Sequence, residues 1–222
     1  MLSVKVIRPN CRAQFTREDL AFLYGSGAEF MGSPDDLDEL LDDSALLDSL
    51  LSDTRVLNVS ARLYFYTLVR HVLRRAGIED RDVADYVAAV LADFAPSDHP
   101  FRPARGDRAC FPAMVDLLNV LQDADASSQF ALRAHVGNLA LWMTGVFPKH
   151  VHHRVAQRAA PPVSYYESIG RQSFLEASDH PLAYHYTLSG VFNRLGESFR
   201  ETRLALNEMS DRLCFVEATP DI

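Results

Sequence analysis

Phe130 to Phe147 carry a single charge, Arg133, and are apolar on nearly every face of a helix. A surface helix needs a polar side, so one that is apolar all round must be enclosed, either by other elements or by lipid. Its longest weakly charged stretch, Val136 to Phe147, is a dozen residues. That falls short of the ~20 needed to cross a bilayer, so this is a central helix wrapped in protein, and no membrane segment is expected. Gly137, Ala140 and Gly145 would let neighbours approach it closely, at some cost in helix propensity.

Most of the remaining chain reads as helices that could wrap it. Thr16 and Asp19 resemble a capping box before Leu20, Phe22 and Leu23, with a stop at Gly25-Ser-Gly27. Ser33-Pro34 is an N-cap and N1 pair, followed by Leu37, Leu40, Leu41, Leu47, Leu50 and Leu51 at helical spacing. Val56, Val59, Leu63, Val69, Val72 and Leu73 lead to Arg74-Arg75-Ala76-Gly77, where basic side chains and then a glycine suit a helix C-terminus. From Asp80, the positions Val83, Tyr86, Val87, Val90, Leu91 and Phe94 repeat at one-turn spacing until Pro96. Residues 96–109, with three prolines, Gly106 and three arginines, read as the longest loop, and Met114 to Leu121 as a three-turn helix after it.

Beyond the central helix, Pro148 redirects the chain into a short basic, histidine-rich helix that ends before Pro161-Pro162. Ser164 and Glu167 form a second capping-box pattern. Leu188, Val191, Leu195, Phe199, Thr202 and Leu206 trace one face of a long helix from Leu182 to about Ser210. Leu2, Val4 and Val6 alternate as in a short strand, which Cys214 to Glu217 could join as a two-stranded terminal ribbon. The expected fold is all-α: one domain over 1–222, a bundle of about eight helices around 130–147.

An apolar share of 48% and a charged share of 23% are those of an ordinary folded domain. The first residues carry no secretory pattern, and Cys11, Cys110 and Cys214 are odd in number and far apart, as expected of reduced thiols in the cytoplasm. Net charge is −8, and it is uneven. Glu18 to Asp53 contain eleven acids and no Lys or Arg, so the rest of the chain carries +3. This balance, with no Arg/Lys cluster interleaved with aromatics, disfavours nucleic acid as a partner.

Three groups of residues could carry binding chemistry or catalysis. On the central helix, Arg133, His135 and Asn138 are polar where burial demands partners; they read either as a structural network between helices or as catalytic residues. After it, His150 and His153 share a helix face and could ligate a metal with Asp179 and His180 as further donors, or lie on a solvated face. No H-E-x-x-H or E-x-x-H pattern accompanies them, so the solvated face is the simpler account. In the loop, Arg102, Arg105 and Arg108 could hold a phosphate or carboxylate.

The acidic segment points elsewhere. Its leucine stripe could dock on this chain or on another protein, with Asp35, Asp36, Asp38, Glu39, Asp42 and Asp43 steering a basic partner. If it docks at home, the aspartates are expected to face solvent. No phosphate loop, nucleophile elbow or paired Cys and His is present, and no cofactor is strongly implied. The first functional expectation is therefore a helical protein-interaction or regulatory module that binds other proteins or itself. The alternative is a helix-bundle enzyme with a His/carboxylate site, metal-dependent or acting on an anionic small molecule.

Overall fold

In the computed structural model the described residues are 6–24, 34–52, 59–95 and 107–212. They form twelve α-helices and a 3-10 turn, Arg12–Gln14, with no strand among them. The all-α expectation holds, with more and shorter helices than the eight expected. The terminal ribbon falls almost wholly outside the described residues.

Helix α1 (Arg17–Tyr24) opens with the expected capping box: the Asp19 N–H donates to Thr16 Oγ1 at 3.1 Å, and Thr16 N–H to Asp19 Oδ2 at 2.8 Å. Asp19 is fully buried because it also accepts the Ser60 N–H (2.7 Å) and Oγ–H (2.6 Å). Ser60 in turn caps α4 (Ala61–Arg75), so one carboxylate ties two helix starts together. The leucine-striped acidic segment divides into α2 (Pro34–Leu41) and α3 (Ser44–Ser52), because Asp43 accepts the Ala45 N–H at 2.9 Å and starts a new helix. At the end of α4, Gly77 takes a φ of 81° while its N–H reaches Arg74 O and that of Ile78 reaches Leu73 O, the paired bonds of a Schellman stop. Helix α5 (Arg81–Phe94) starts at its Asp80 cap as the sequence predicts.

Helix α6 (Asp107–Asp123) begins well before its apolar repeat, taking in residues read as loop. Helix α7 (Ala126–Val146) is the spine; Asp125 caps it one turn earlier than the apolar run begins. It packs against α5, α6, α8 (Pro148–Ala156), α9 (Val163–Ser178), α10 (Pro181–His185) and α12 (Phe199–Arg212). The small residues act as expected. A Cβ on Gly137 would lie 2.9 Å from the Phe174 ring of α9, and one on Gly145 2.9 Å from Leu206 of α12.

Two sequence expectations fail. The second capping-box pattern does not cap: α9 starts two residues earlier, after Pro162 and without a side-chain cap, and Glu167 instead accepts from Arg203 Nε of α12 at 2.6 Å. The long last helix is three, α10, α11 (Ser189–Glu197) and α12. Thr187 reverses the chain with a φ of 59°, its N–H bonded to Tyr184 O and that of Leu188 to Ala183 O, a Schellman stop built without glycine. The apolar period continues across these breaks, which hides them. Helix α12 also closes the end of the spine. Pro148 lacks the N–H that Thr144 O would accept, and Asn207 Nδ2 replaces it at 2.8 Å while also reaching Gly145 O at 2.7 Å; Ser210 Oγ covers Val146 O.

Candidate interaction surface

The densest set of charges in the structure lies where α2 meets α4, α5 and the 3-10 turn. Arg70 and Arg74 are one turn apart on α4, Arg81 is the first residue of α5, and Arg12 stands in the turn before α1. Opposite them, Asp38, Leu41 and Asp42 share one face of α2 and its end, the spacing that puts side chains in a row on a helix. The aspartates of that row point inward, against the expectation that home docking leaves them in solvent.

Asp42 takes the Arg70 fork in two bonds, Nε to Oδ1 at 2.7 Å and Nη2 to Oδ2 at 3.1 Å, the bidentate geometry that makes such pairs strong. Arg81 Nη2 reaches the same carboxylate at 3.2 Å and Arg74 Nη1 at 3.5 Å. Asp38 bridges a fourth cation to Arg81, Oδ1 to Arg12 Nη1 at 2.9 Å and Oδ2 to Arg81 Nη1 at 2.6 Å. The Arg70 side chain is 4% exposed, and its remaining Nη1 donates to Glu79 O at 2.6 Å. Beneath, Asp85 accepts the Cys11 N–H at 2.6 Å and faces Arg12 Nε at 3.5 Å.

The ionisation of these groups follows from burial set against partners. Burial alone would push the Asp42 carboxyl up, but the Arg70 bonds, with Arg81 and Arg74, outweigh it and hold the group below its ordinary value. For Asp85 burial wins over Cys11 and Arg12, and its carboxyl is raised. Burial, then the Asp85 charge, pushes the Cys11 thiol up to about 12, so it is an inert buried sulfhydryl. His71, whose ring stands against the Asp43 backbone, is lowered by burial and by Arg74.

Beside this network a small apolar gap of about 10 Å³ is lined by Leu47 and Leu51 of α3, Leu68 and Val72 of α4, and Met209 of α12. That is room for about one water, far below the roughly 300–1,000 Å³ of small-molecule sites. Leu51 remains 43% exposed at its edge. The acidic pair buries Leu41 of α2 and Leu50 of α3, and Leu37, Leu46 and Leu47 pack partly buried against the core.

Of the six acidic candidates, Asp38 and Asp42 are thus spent on arginines, Glu39 and Asp43 are exposed, and Asp35 and Asp36 lie on α2 with side chains outside the described residues. Arg102 and Arg105 lie outside the described residues, as does the side chain of Arg108, whose backbone is in the first turn of α6.

The spine trio does not converge. Arg133 pairs with Glu176 of α9, His135 stacks on Phe94 of α5 at 5.6 Å, and Asn138 Oδ1 accepts from Tyr86 Oη at 2.9 Å. Each joins the spine to a neighbour separately, and burial lowers the His135 imidazole pKa.

Of the histidines after the spine, His180 has a structural task. His180 caps α10, Nδ1 accepting the Leu182 N–H at 3.1 Å while Nε2 donates to Ala126 O at 2.9 Å, so both ring nitrogens are occupied. His153 pairs with Gln157 at 2.9 Å, and Asp179 is exposed at the end of α9. Among the described residues no group of three His, Cys, Asp or Glu side chains is arranged to hold a metal, and no helix is long and apolar enough to cross a membrane.

Sequence reasoning did not single out Arg12, Arg70, Arg81 or Asp85, and took Arg74 for a helix-end charge. The available signal was Arg70 itself, a charge inside the apolar run Leu68 to Leu73, in a chain with eleven of its thirty acids gathered in one cation-free segment. Comparison with models of protein families, with curated proteins and with solved structures found no match.

Proposed function

We propose that this chain is a protein-interaction or regulatory module of the cytoplasm, acting through its acidic helix pair on protein partners or on a second copy of itself. The observation that supports the reading is the way α2 and α3 are held. A surface helix needed only for solubility would turn its carboxylates outward, whereas Asp38 and Asp42 bind four arginines while Glu39 and Asp43 stay exposed. The pair therefore presents an outward acidic edge, suited to steering a basic partner, on a support fixed by charge.

The test is size-exclusion chromatography with light scattering, together with affinity capture from the host, for the wild type and for Glu39→Lys/Asp43→Lys. Association or capture that the double substitution weakens supports the reading. A monomer with nothing captured, or association indifferent to the substitution, overturns it.

A further inference from the structure

A net charge of −8 hides a second face of opposite sign. We infer that the solvent side of α8, with the turn that ends it, is the surface on which the acidic edge of a second copy of this chain docks, head to tail. This rests on the reading of the chain as an interaction module and names the counter-surface and its occupant.

From Phe147 to Tyr166 the chain has no Asp or Glu, while Lys149, Arg154, Arg158 and three histidines fall within ten residues. On α8, Lys149, His152, His153 and Ala156 follow one another at one-turn spacing and are all exposed, so the outward side of the helix is basic and carries no acid. The side chains of His152 and Arg158 are bonded to nothing among the described residues. Arg158 also stands at a φ of 55°, a left-handed stop where glycine would be unstrained, so a long cationic side chain is kept in solvent at the end of α8 at a cost to the backbone.

A basic helix face is matched by an acidic one, and this chain carries it. Glu39 and Asp43 are exposed and one turn apart at the end of α2, while Asp38 and Asp42 turn inward onto the arginines. Lys149 and His153 repeat that spacing with the opposite sign. Each side also leaves one large apolar side chain in water: Leu51 on α3 is 43% exposed, and Tyr165 in the first turn of α9 is 42% exposed, next to Tyr166, which lies within reach of the Arg154 charge of α8. The two faces belong to different parts of the bundle, α8 against α7 and α3 against α4, so one copy can offer both at once and the contact is heterologous. A phosphate backbone is the other chemistry that suits a basic face, but a chain of net charge −8 repels it.

Exposed charge pairs are individually weak, so the association is measured by sedimentation velocity on the full chain at high protein concentration and low salt. The wild type should self-associate, less so as salt rises, and Lys149→Glu/Arg158→Glu and Glu39→Lys/Asp43→Lys should each associate at least about ten-fold more weakly. Mixed one to one, the two reversed variants present opposite charges to each other and should associate again. Restored association in the mixture supports the inference. Variants that stay apart when mixed, a wild type that is monomeric throughout, self-association indifferent to Lys149→Glu/Arg158→Glu, or tighter binding of a single-stranded oligonucleotide than of a second copy overturns it.

Should a reversed variant fail to fold, the ¹⁵N-labelled wild type is followed on dilution. Amide shifts of 39–43 and 149–158 that move together along one binding curve support the inference, and movement of one set without the other, or of neither, overturns it. Association lost in Glu39→Lys/Asp43→Lys but unchanged in Lys149→Glu/Arg158→Glu would remove this surface alone and leave the module reading standing.

Discussion

Asp42→Asn removes one negative charge and keeps the shape, and its consequence follows from what the carboxylate holds. It takes both arms of Arg70, one arm of Arg81 and the charge of Arg74, and the Arg70 side chain is 4% exposed. Breaking a buried pair from one side costs about 3–5 kcal/mol, because the other charge is left behind. Asp42 itself is 18% exposed, so the lower end applies, about 3 kcal/mol. For a chain of this size, that is a fall in melting temperature of roughly 6–12 °C.

The assay is urea unfolding with a thermal scan, with Glu39→Gln on the same helix as the exposed control, for which the loss should stay within about 0.5 kcal/mol. A double substitution, Asp42→Leu with Arg70→Met, should recover part of the loss, since it removes the stranded charge as well. The pH dependence has a definite sign: with the Asp42 carboxyl held below its ordinary value, its contribution is present above the unfolded value of about 3.9 and is lost as pH falls through the folded one. Equal losses for Asp42→Asn and Glu39→Gln, or no recovery in the double variant, would refute the claim that the acidic helix is held by charge.

Two further expectations concern the frame. Thr187, β-branched and at a φ of 59°, bears a strain of about 1–2 kcal/mol that glycine would relieve, less the roughly 0.5–1 kcal/mol of added chain entropy, so Thr187→Gly should raise the melting temperature by about 1–3 °C; a fall would contradict the strain argument. Asn207→Ala leaves Thr144 O and Gly145 O without their donor and should cost about 2 kcal/mol in urea unfolding, whereas a loss under half that would show that water replaces the amide.

What the sequence conveys here is mostly local chemistry. Asp80 and Pro96 bound α5, Gly77 ends α4, and the apolar run of 130–147 marks the spine, because caps, breaks and periodicity act over a few residues. Thr187 could not be read, since a left-handed stop normally announces itself with glycine or asparagine. Glu167 looked like a capping residue and is a partner of Arg203 on a helix distant in sequence, a choice made by packing. The candidate surface was half legible: the acidic segment stands out by composition, but which aspartates turn inward depends on arginines 26 to 43 positions away for Asp38 and 28 to 39 away for Asp42. Charge pairs over such separations leave no periodic mark.

The central claim, that α2–α3 is a charge-held occupant of an arginine face, is tested most directly by native-state hydrogen exchange at low and high salt. The account predicts that the amides of 34–52 open at a free energy below that of α5 and α7, and that added salt speeds their exchange while leaving the spine protected. Exchange of 34–52 only through global unfolding, with no effect of salt, would contradict it.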